Sequence, residues 1–146
     1  MLSALRALAR LPLRWYHALG GGLGWLVYWT SRRYAARLRQ NLRASDVWQD
    51  EADYRRILRG AIVEAGRQGT EIIPLWFRPH AQVVQLVKSC RGEHEVLEAY
   101  RAGRGVILLT PHLGCFEISA IYAAARFPIT VLYRPPHMAW VNHIIV

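Results

Sequence analysis

The chain has 146 residues, enough for one ordinary domain, and 53% of them are hydrophobic while 20% are charged. This composition excludes an intrinsically disordered chain and allows a sizeable buried core. The formal net charge is +9, yet no acidic residue precedes Asp46, whereas this first stretch holds Arg6, Arg10, Arg14, Arg32, Arg33, Arg37, Arg39 and Arg43. Beyond it, basic and acidic residues nearly balance. No basic stripe remains there, so we do not expect a nucleic-acid partner.

The run WYHALGGGLGWLVYWTS, residues 15–31, contains no acid, lysine or arginine and has aromatic residues near both ends. Aromatic residues at the ends of an apolar run are typical of membrane interfaces, and flanking arginines are attracted to anionic lipid. As a helix the run would reach about 25 Å, against a hydrocarbon core of about 30 Å. We therefore predict a helix embedded in, or tilted across, one membrane face. A buried core helix is the alternative that the sequence leaves open.

Two targeting signals fit this segment poorly. A secretory signal peptide would end in small residues, but Ser31, Arg32 and Arg33 follow the run, and a mitochondrial transit peptide would be richer in serine. The arginines from Arg32 to Arg43 instead predict that the rest of the protein is cytoplasmic. Cys90 and Cys115 lack the spacing of a disulfide scaffold or zinc ribbon, which agrees with a reducing compartment.

The next region predicts an amphipathic helix. Ser45 and the acids that follow it are typical of a helix start, and Tyr54, Leu58 and Ile62 recur at helical spacing. Pro74 is expected to end or kink this helix.

The remaining pattern alternates between short apolar runs and helical segments. It predicts strands at Val83–Val87, 106–110 and Ile129–Tyr133, and helices from Glu93 to Gly103 and from Cys115 to Arg126. A β-α-β unit implies an α/β fold whose site lies at the carboxyl ends of the strands.

His112 and Glu117 are the candidate catalytic residues. His112 follows the second predicted strand and Pro111, and Glu117 comes five residues later, a spacing that does not face in a continuous helix. Pro111 and Gly114 would let His112 stand in a turn before a helix, with Glu117 in its first turns. This arrangement suits a histidine general base that is oriented by a carboxylate, with helix N-terminal amides for an oxyanion. Alternatively, Glu117 only complements the helix N-terminus.

A zinc site is a weaker interpretation of the same region. His112, Cys115, His137 and His143 could be combined on paper, but their spacing matches no compact zinc signature. We therefore predict no metal site.

The segment GRGVILLTPHLGCFEI resembles the H-x4-[DE] block of the lysophospholipid acyltransferase superfamily. More narrowly, it resembles the bacterial lipid A biosynthesis acyltransferases, the lauroyl and myristoyl transferases. That family has an arginine-flanked apolar N-terminus like LPLRWYHALGGGLGWLVYWTSRR and a second block that VLYRPPHMAWVNHIIV matches in Tyr133, Arg134 and Pro135. The resemblance covers essentially the whole chain, although Cys115 and His137 replace the more usual Asn and Lys.

The resemblance implies transfer of a fatty acyl group from an acyl carrier protein thioester to a hydroxyl of a lipid A precursor, at the cytoplasmic face of the bacterial inner membrane. It makes His112 the base, Glu117 the orienting acid, and Tyr133 and Arg134 substrate-binding residues, without a cofactor. Residues 1–44 would form a membrane-anchoring segment and 45–146 the first portion of an acyltransferase domain. Because family members run further, the chain is expected to be a truncated member. Two alternatives stay open: an inactive membrane-bound fragment, or an enzyme for lysophospholipid or other glycolipid acceptors.

Overall fold

The computed structural model describes residues 2–132, and every regular element in this range is a helix. In chain order the helices are α1 (Leu2–Ala9), α2 (Leu13–Thr30), α3 (Arg32–Ser45), α4 (Glu51–Phe77), α5 (His80–Val84), α6 (Glu93–Arg101) and α7 (Glu117–Ala124). The chain divides into two compact units, of which the first ends at Phe77 and the second begins at Arg78.

Local signals explain the breaks between the first helices. Pro12 precedes α2, and Ser31 separates α2 from α3 because its side-chain oxygen accepts a hydrogen bond of 3.4 Å from the backbone N–H of Tyr34. Asp46 ends α3 in the left-handed conformation, with φ of 52°. Capping side chains of this kind satisfy N–H groups that have no partner within the helix.

Helix α4 begins later and ends later than the sequence predicts. Asp50, not Ser45, caps its start: a side-chain oxygen of Asp50 accepts a 2.8 Å hydrogen bond from the N–H of Asp53. The helix continues through Pro74 to Phe77. Pro74 has no N–H to donate, but it is among the fully buried residues of the chain. Tertiary packing therefore holds the helix together where the local signal favours an end.

The first unit is built on a close antiparallel contact between α2 and α4. A Cβ atom on Gly20 would lie 2.7 Å from the carbonyl oxygen of Gly66, and a Cβ on Gly66 would overlap the backbone of Gly20 and Gly24. The two backbones touch because these three positions have no side chain, as in other helix pairs with small residues four apart. Next to this contact, the His17 ring lies 2.6 Å from a carboxylate oxygen of Glu71.

The second unit contains the three short helices α5, α6 and α7. Helix α5 packs against α7, and its Val83 is completely buried. Helix α6 lies between Gly92 and Gly103, which both have positive φ, 76° and 68°. The predicted helix from Glu93 to Gly103 is therefore confirmed, including the left-handed glycine that follows its last turn.

The prediction of an α/β fold is wrong, because residues 2–132 contain no strand. Val83 lies in α5, whereas residues 106–110 and 129–132 have no regular structure. Ile107 and Leu109 are 89% and 91% exposed, so this run is not the buried strand that its composition predicts. A strand requires a neighbour for its backbone hydrogen bonds, and none is formed within the described range.

No helix among residues 2–132 combines the length and the apolar character needed to cross a membrane.

The predicted role of residues 1–44 as a membrane-anchoring segment stays a prediction. In the structure this stretch forms α1, α2 and most of α3, within a compact unit that extends to Phe77.

Candidate active site

His112 lies in the irregular segment between α6 and α7. The residue is exposed, and the turn is closed by a 2.8 Å hydrogen bond from the N–H of Leu113 to the carbonyl oxygen of Pro111. Two residues later Gly114 has a φ of 57°, a conformation that other residues adopt only with strain. The predicted turn between His112 and the following helix is thus present.

The contact shown for the His112 side chain is with an aromatic ring. The imidazole and the ring of Phe116 have centroids 4.1 Å apart and are tilted by 38°. Phe116 is the residue immediately before α7. The candidate base therefore packs against the residue that directly precedes α7.

Glu117 is the first residue of α7 and is half-buried. Its place in the first turn agrees with the local geometry that the sequence predicts, and a carboxylate here also complements the positive end of the helix dipole. His112 thus lies just before the turn at Gly114, and Glu117 lies just after it. Their catalytic roles are not tested by this arrangement and stay predictions.

Part of the predicted oxyanion site is already occupied by protein groups. The N–H of Ile118 donates to the carbonyl oxygen of Cys115 at 3.2 Å, and the N–H of Ser119 donates to that of Phe116 at 3.1 Å. These two amides close the first turn of α7, so they are not available to a substrate oxyanion.

Helix α7 has only two turns and is held in place by α5 and α6. From α6, the Glu93 carboxylate accepts a 3.1 Å hydrogen bond from the Tyr122 hydroxyl and forms an ion pair with Arg126. The Arg126 guanidinium also lies over the Tyr122 ring, 3.5 Å from its centroid. Burial raises the pKa of the Tyr122 hydroxyl, and the hydrogen bond to Glu93 acts in the same direction. This cluster fixes the helix that begins with Glu117.

Sequence reasoning did not find the Glu93 cluster. Glu93 is 29 residues from Tyr122 and 33 from Arg126 along the chain, so no local periodicity connects them. The only local signal is an acidic residue in the first turn of a predicted helix, which helix-dipole effects explain by themselves.

Several predicted site residues lie outside the described range. These are Tyr133 and Arg134, proposed to bind substrate, and His137 and His143, considered for zinc. Within residues 2–132 no group of histidine, cysteine or acidic side chains is arranged to hold a metal ion.

A groove of about 290 Å³ lies in the first unit. It runs between Leu23 and Val27 on α2 and Ala65 and Gly69 on α4. The groove is lined mainly by apolar groups, and the Thr70 hydroxyl at its wall is bonded to backbone oxygens. It therefore offers no general base and is not the candidate site.

A histidine and a carboxylate therefore flank the turn before α7, within a described range in which every regular element is a helix. A family model for bacterial lipid A biosynthesis acyltransferases matches residues 1–146. The chain belongs to this family and is an acyltransferase of lipid A biosynthesis. No curated protein and no solved structure matches the chain.

Proposed function

We propose that the chain transfers a fatty acyl group from an acyl carrier protein thioester to a hydroxyl of a lipid A precursor, with His112 as general base. Family membership supports acyl transfer in lipid A biosynthesis. The observation that carries the finer proposal is the position of His112, exposed in the turn directly before the helix that begins with Glu117.

The proposed reaction is an attack on a thioester. The His112 imidazole takes the proton of the acceptor hydroxyl, and the oxygen attacks the carbonyl carbon of the thioester. A tetrahedral intermediate forms, the carbon–sulfur bond breaks, and the carrier's thiolate leaves with the proton returned by the imidazolium. The products are an ester and a free thiol. Glu117 is proposed to orient the ring and to stabilise its protonated form.

The remaining parts of the site are assigned from charge and resemblance. The exposed arginines of α1 and α3 offer a positive surface to an acidic carrier protein. Tyr133 and Arg134, in the second block that resembles the family, are proposed to contact the donor or the acceptor. No cofactor or metal ion takes part in the proposed reaction.

The proposed location is the cytoplasmic face of the bacterial inner membrane. The exposed arginines that follow α2 support a position at an anionic membrane surface, because basic side chains are attracted to anionic lipid headgroups. A lipid acceptor, which itself resides in the membrane, agrees with this proposed location.

The test is acyl transfer by bacterial membranes that contain the chain, with labelled acyl carrier protein thioester and a lipid A precursor. Replacing His112 with alanine should lower the rate by about a hundredfold or more, because a general base contributes about that much. Glu117→Gln should cause a smaller loss, since the base remains. The matched control is His94→Ala, an exposed histidine on α6 in the same unit, which should leave the rate unchanged.

Three results would contradict the proposal in different ways. A His112→Ala variant that works as fast as the parent chain would exclude His112 as the base. Transfer to lysophospholipid instead of lipid A precursors would change the acceptor but keep the chemistry. No transfer to any acceptor would overturn the proposed activity of these 146 residues.

A further inference from the structure

The groove of about 290 Å³ beside the contact of α2 with α4 owes its space to small residues. Gly66 lets the two backbones touch, and Ala65 and Gly69 on the same stretch of α4 have little or no side chain to fill the space between the helices. A Cβ built on Gly69 has no atom within 4 Å. The α2 side of the groove is formed by Leu23 and Val27, which are 39% and 45% exposed. The groove is therefore apolar and open to a ligand.

The size and the chemistry of the groove favour a single hydrocarbon chain. The Thr70 hydroxyl at its wall already donates a 2.8 Å hydrogen bond to the carbonyl oxygen of Tyr16, and the lining is otherwise mainly apolar. Sites for small ligands measure about 300–1,000 Å³, so this groove lies at the lower end of that range. One slender apolar chain fits such a space, whereas a lipid with several chains exceeds it.

Helix α3 brings positive charge next to the groove. Tyr34 of this helix contributes to the lining. The same helix carries five exposed arginines, Arg32, Arg33, Arg37, Arg39 and Arg43. Arg43 pairs with Glu51 at 2.5 Å, while the other four form no ion pair with a carboxylate of the described residues. A ligand that combines one apolar chain with an acidic carrier matches both the groove and this charge.

We propose that the groove between α2 and α4 holds the fatty acyl chain of the donor thioester, while the arginines of α3 contact the acidic carrier protein. The inference rests on the acyl carrier protein donor proposed above, because such a donor presents one chain on one acidic protein. No residue of the groove takes part in the chemistry. Each methylene that the groove removes from water should raise the affinity about fourfold.

The test measures binding of acyl carrier protein that bears an octanoyl, a decanoyl or a dodecanoyl thioester. The purified chain is held in phosphatidylcholine nanodiscs, so that no detergent competes for the groove, and acceptor is omitted, so that no acyl group is transferred. The affinity should rise by about fifteenfold for each pair of added methylenes until the groove is full. Carrier protein without an acyl group and nanodiscs without the chain give the background.

Two leucine substitutions on α4 separate the groove from the rest of the helix. Gly69 lines the groove and Gly60 does not, yet a Cβ on either glycine meets no atom within 4 Å. Leucine favours a helix over glycine, so both variants should fold, and thermal unfolding checks this. Gly69→Leu should lower the affinity for the dodecanoyl carrier by about tenfold or more and flatten the dependence on chain length. Gly60→Leu should keep the affinities of the parent chain.

The outcomes distinguish the groove from the function on which it rests. Equal affinities of the parent chain for all three acyl carriers, or a Gly69→Leu variant with the parent's affinities, would overturn the proposed groove. A nanodisc lipid or a second copy of the chain lodged in the groove would give the first of these results. Either result leaves acyl transfer, which the membrane assay measures separately, unaffected. Binding that depends on chain length, without any transfer, would support the groove and contradict the proposed function. No binding of any acyl carrier would overturn both the groove and the proposed donor.

Discussion

The hydroxyl of Thr70 on α4 donates a hydrogen bond of 2.8 Å to the backbone carbonyl oxygen of Tyr16 on α2. Thr70 is 7% exposed and lies one turn after Gly66, where the two helix backbones touch. The same oxygen is 2.9 Å from the carbonyl of Arg67 in its own helix. Because a hydroxyl has one proton to donate, the bond to Tyr16 is the link that crosses between the helices.

Replacing Thr70 with valine tests this link. Valine has nearly the same shape but cannot donate, so the free energy of unfolding should fall by about 1 kcal/mol. Urea unfolding followed by circular dichroism measures the change. The matched control is Thr30→Val, because the Thr30 hydroxyl is exposed and bonds only within α2, to Leu26, among the contacts shown. Equal losses in the two variants would argue against an interhelical role for Thr70.

Two glycines of α4 should respond in opposite directions to alanine. A methyl group on Gly66 meets the backbone of Gly20 and Gly24, whereas Gly60 has no atom within 4 Å of the same position. Gly66→Ala should therefore destabilise the chain by about 2 kcal/mol or more through overpacking. Gly60→Ala should stabilise it by up to about 1 kcal/mol because alanine favours the helix. Thermal unfolding of both variants measures the difference, and a stabilising Gly66→Ala would refute the close contact of α2 and α4.

The sequence predicts helices well where the signal is local and strands badly where it is not. The helical spacing of Tyr54, Leu58 and Ile62 and the left-handed Gly103 are signals within one or two turns, and both were confirmed. The prediction of a strand at residues 106–110 is wrong, because a short apolar segment has the same composition whether or not a partner strand exists. Strand formation depends on distant residues, and this information is absent from the run itself.

In the candidate site, too, the features that depend on local sequence signals are predicted, and those that depend on packing are not. Pro111 and Gly114 predict the turn before α7, and the structure has that turn. The contact of the His112 ring with Phe116 was not predicted, because ring orientation depends on packing rather than on spacing. Likewise, the exposure of Trp15 and Trp29 on α2 follows from which face of the helix α4 covers, and the apolar run alone does not give that face.

The Tyr122 hydroxyl gives the stability a testable pH dependence. Burial and the hydrogen bond to Glu93 raise its pKa above the ordinary value of 10.0. The folded state therefore holds this proton more tightly than the unfolded chain. The stabilisation is complete below pH 10.0 and is lost as the pH rises through the raised, folded-state pKa.

Tyr122→Phe removes this titrating group. The variant should be less stable than the parent chain at neutral pH, and the difference in the free energy of unfolding should narrow as the pH rises above 10.0. Urea unfolding of both proteins, at neutral pH and at several pH values above 10.0, measures this difference. Glu93→Gln, which keeps a hydrogen-bond acceptor but removes the charge, should shift the narrowing to lower pH. Parallel stability curves for the parent chain and Tyr122→Phe would show that the hydroxyl does not contribute in this way.

Gly114 connects the two candidate catalytic residues through a left-handed backbone. Its φ is 57°, and no atom lies within 4 Å of a Cβ built on it, so alanine at this position meets backbone strain without a clash. We expect Gly114→Ala to cost about 1 kcal/mol of stability and to lower acyl transfer by about tenfold or more. The second effect arises because a small displacement of His112 relative to Glu117 misaligns the base.

Gly105→Ala is the control that separates these two effects. Gly105 also has a positive φ, 67°, and open space around a Cβ, but it precedes the apolar run and does not lie between His112 and Glu117. The two variants should therefore lose similar stability in urea unfolding, while only Gly114→Ala loses most of the transfer rate in the membrane assay. Similar rate losses would mean that backbone strain anywhere in the segment impairs the enzyme, and would remove the support for a specific role of the turn between His112 and Glu117.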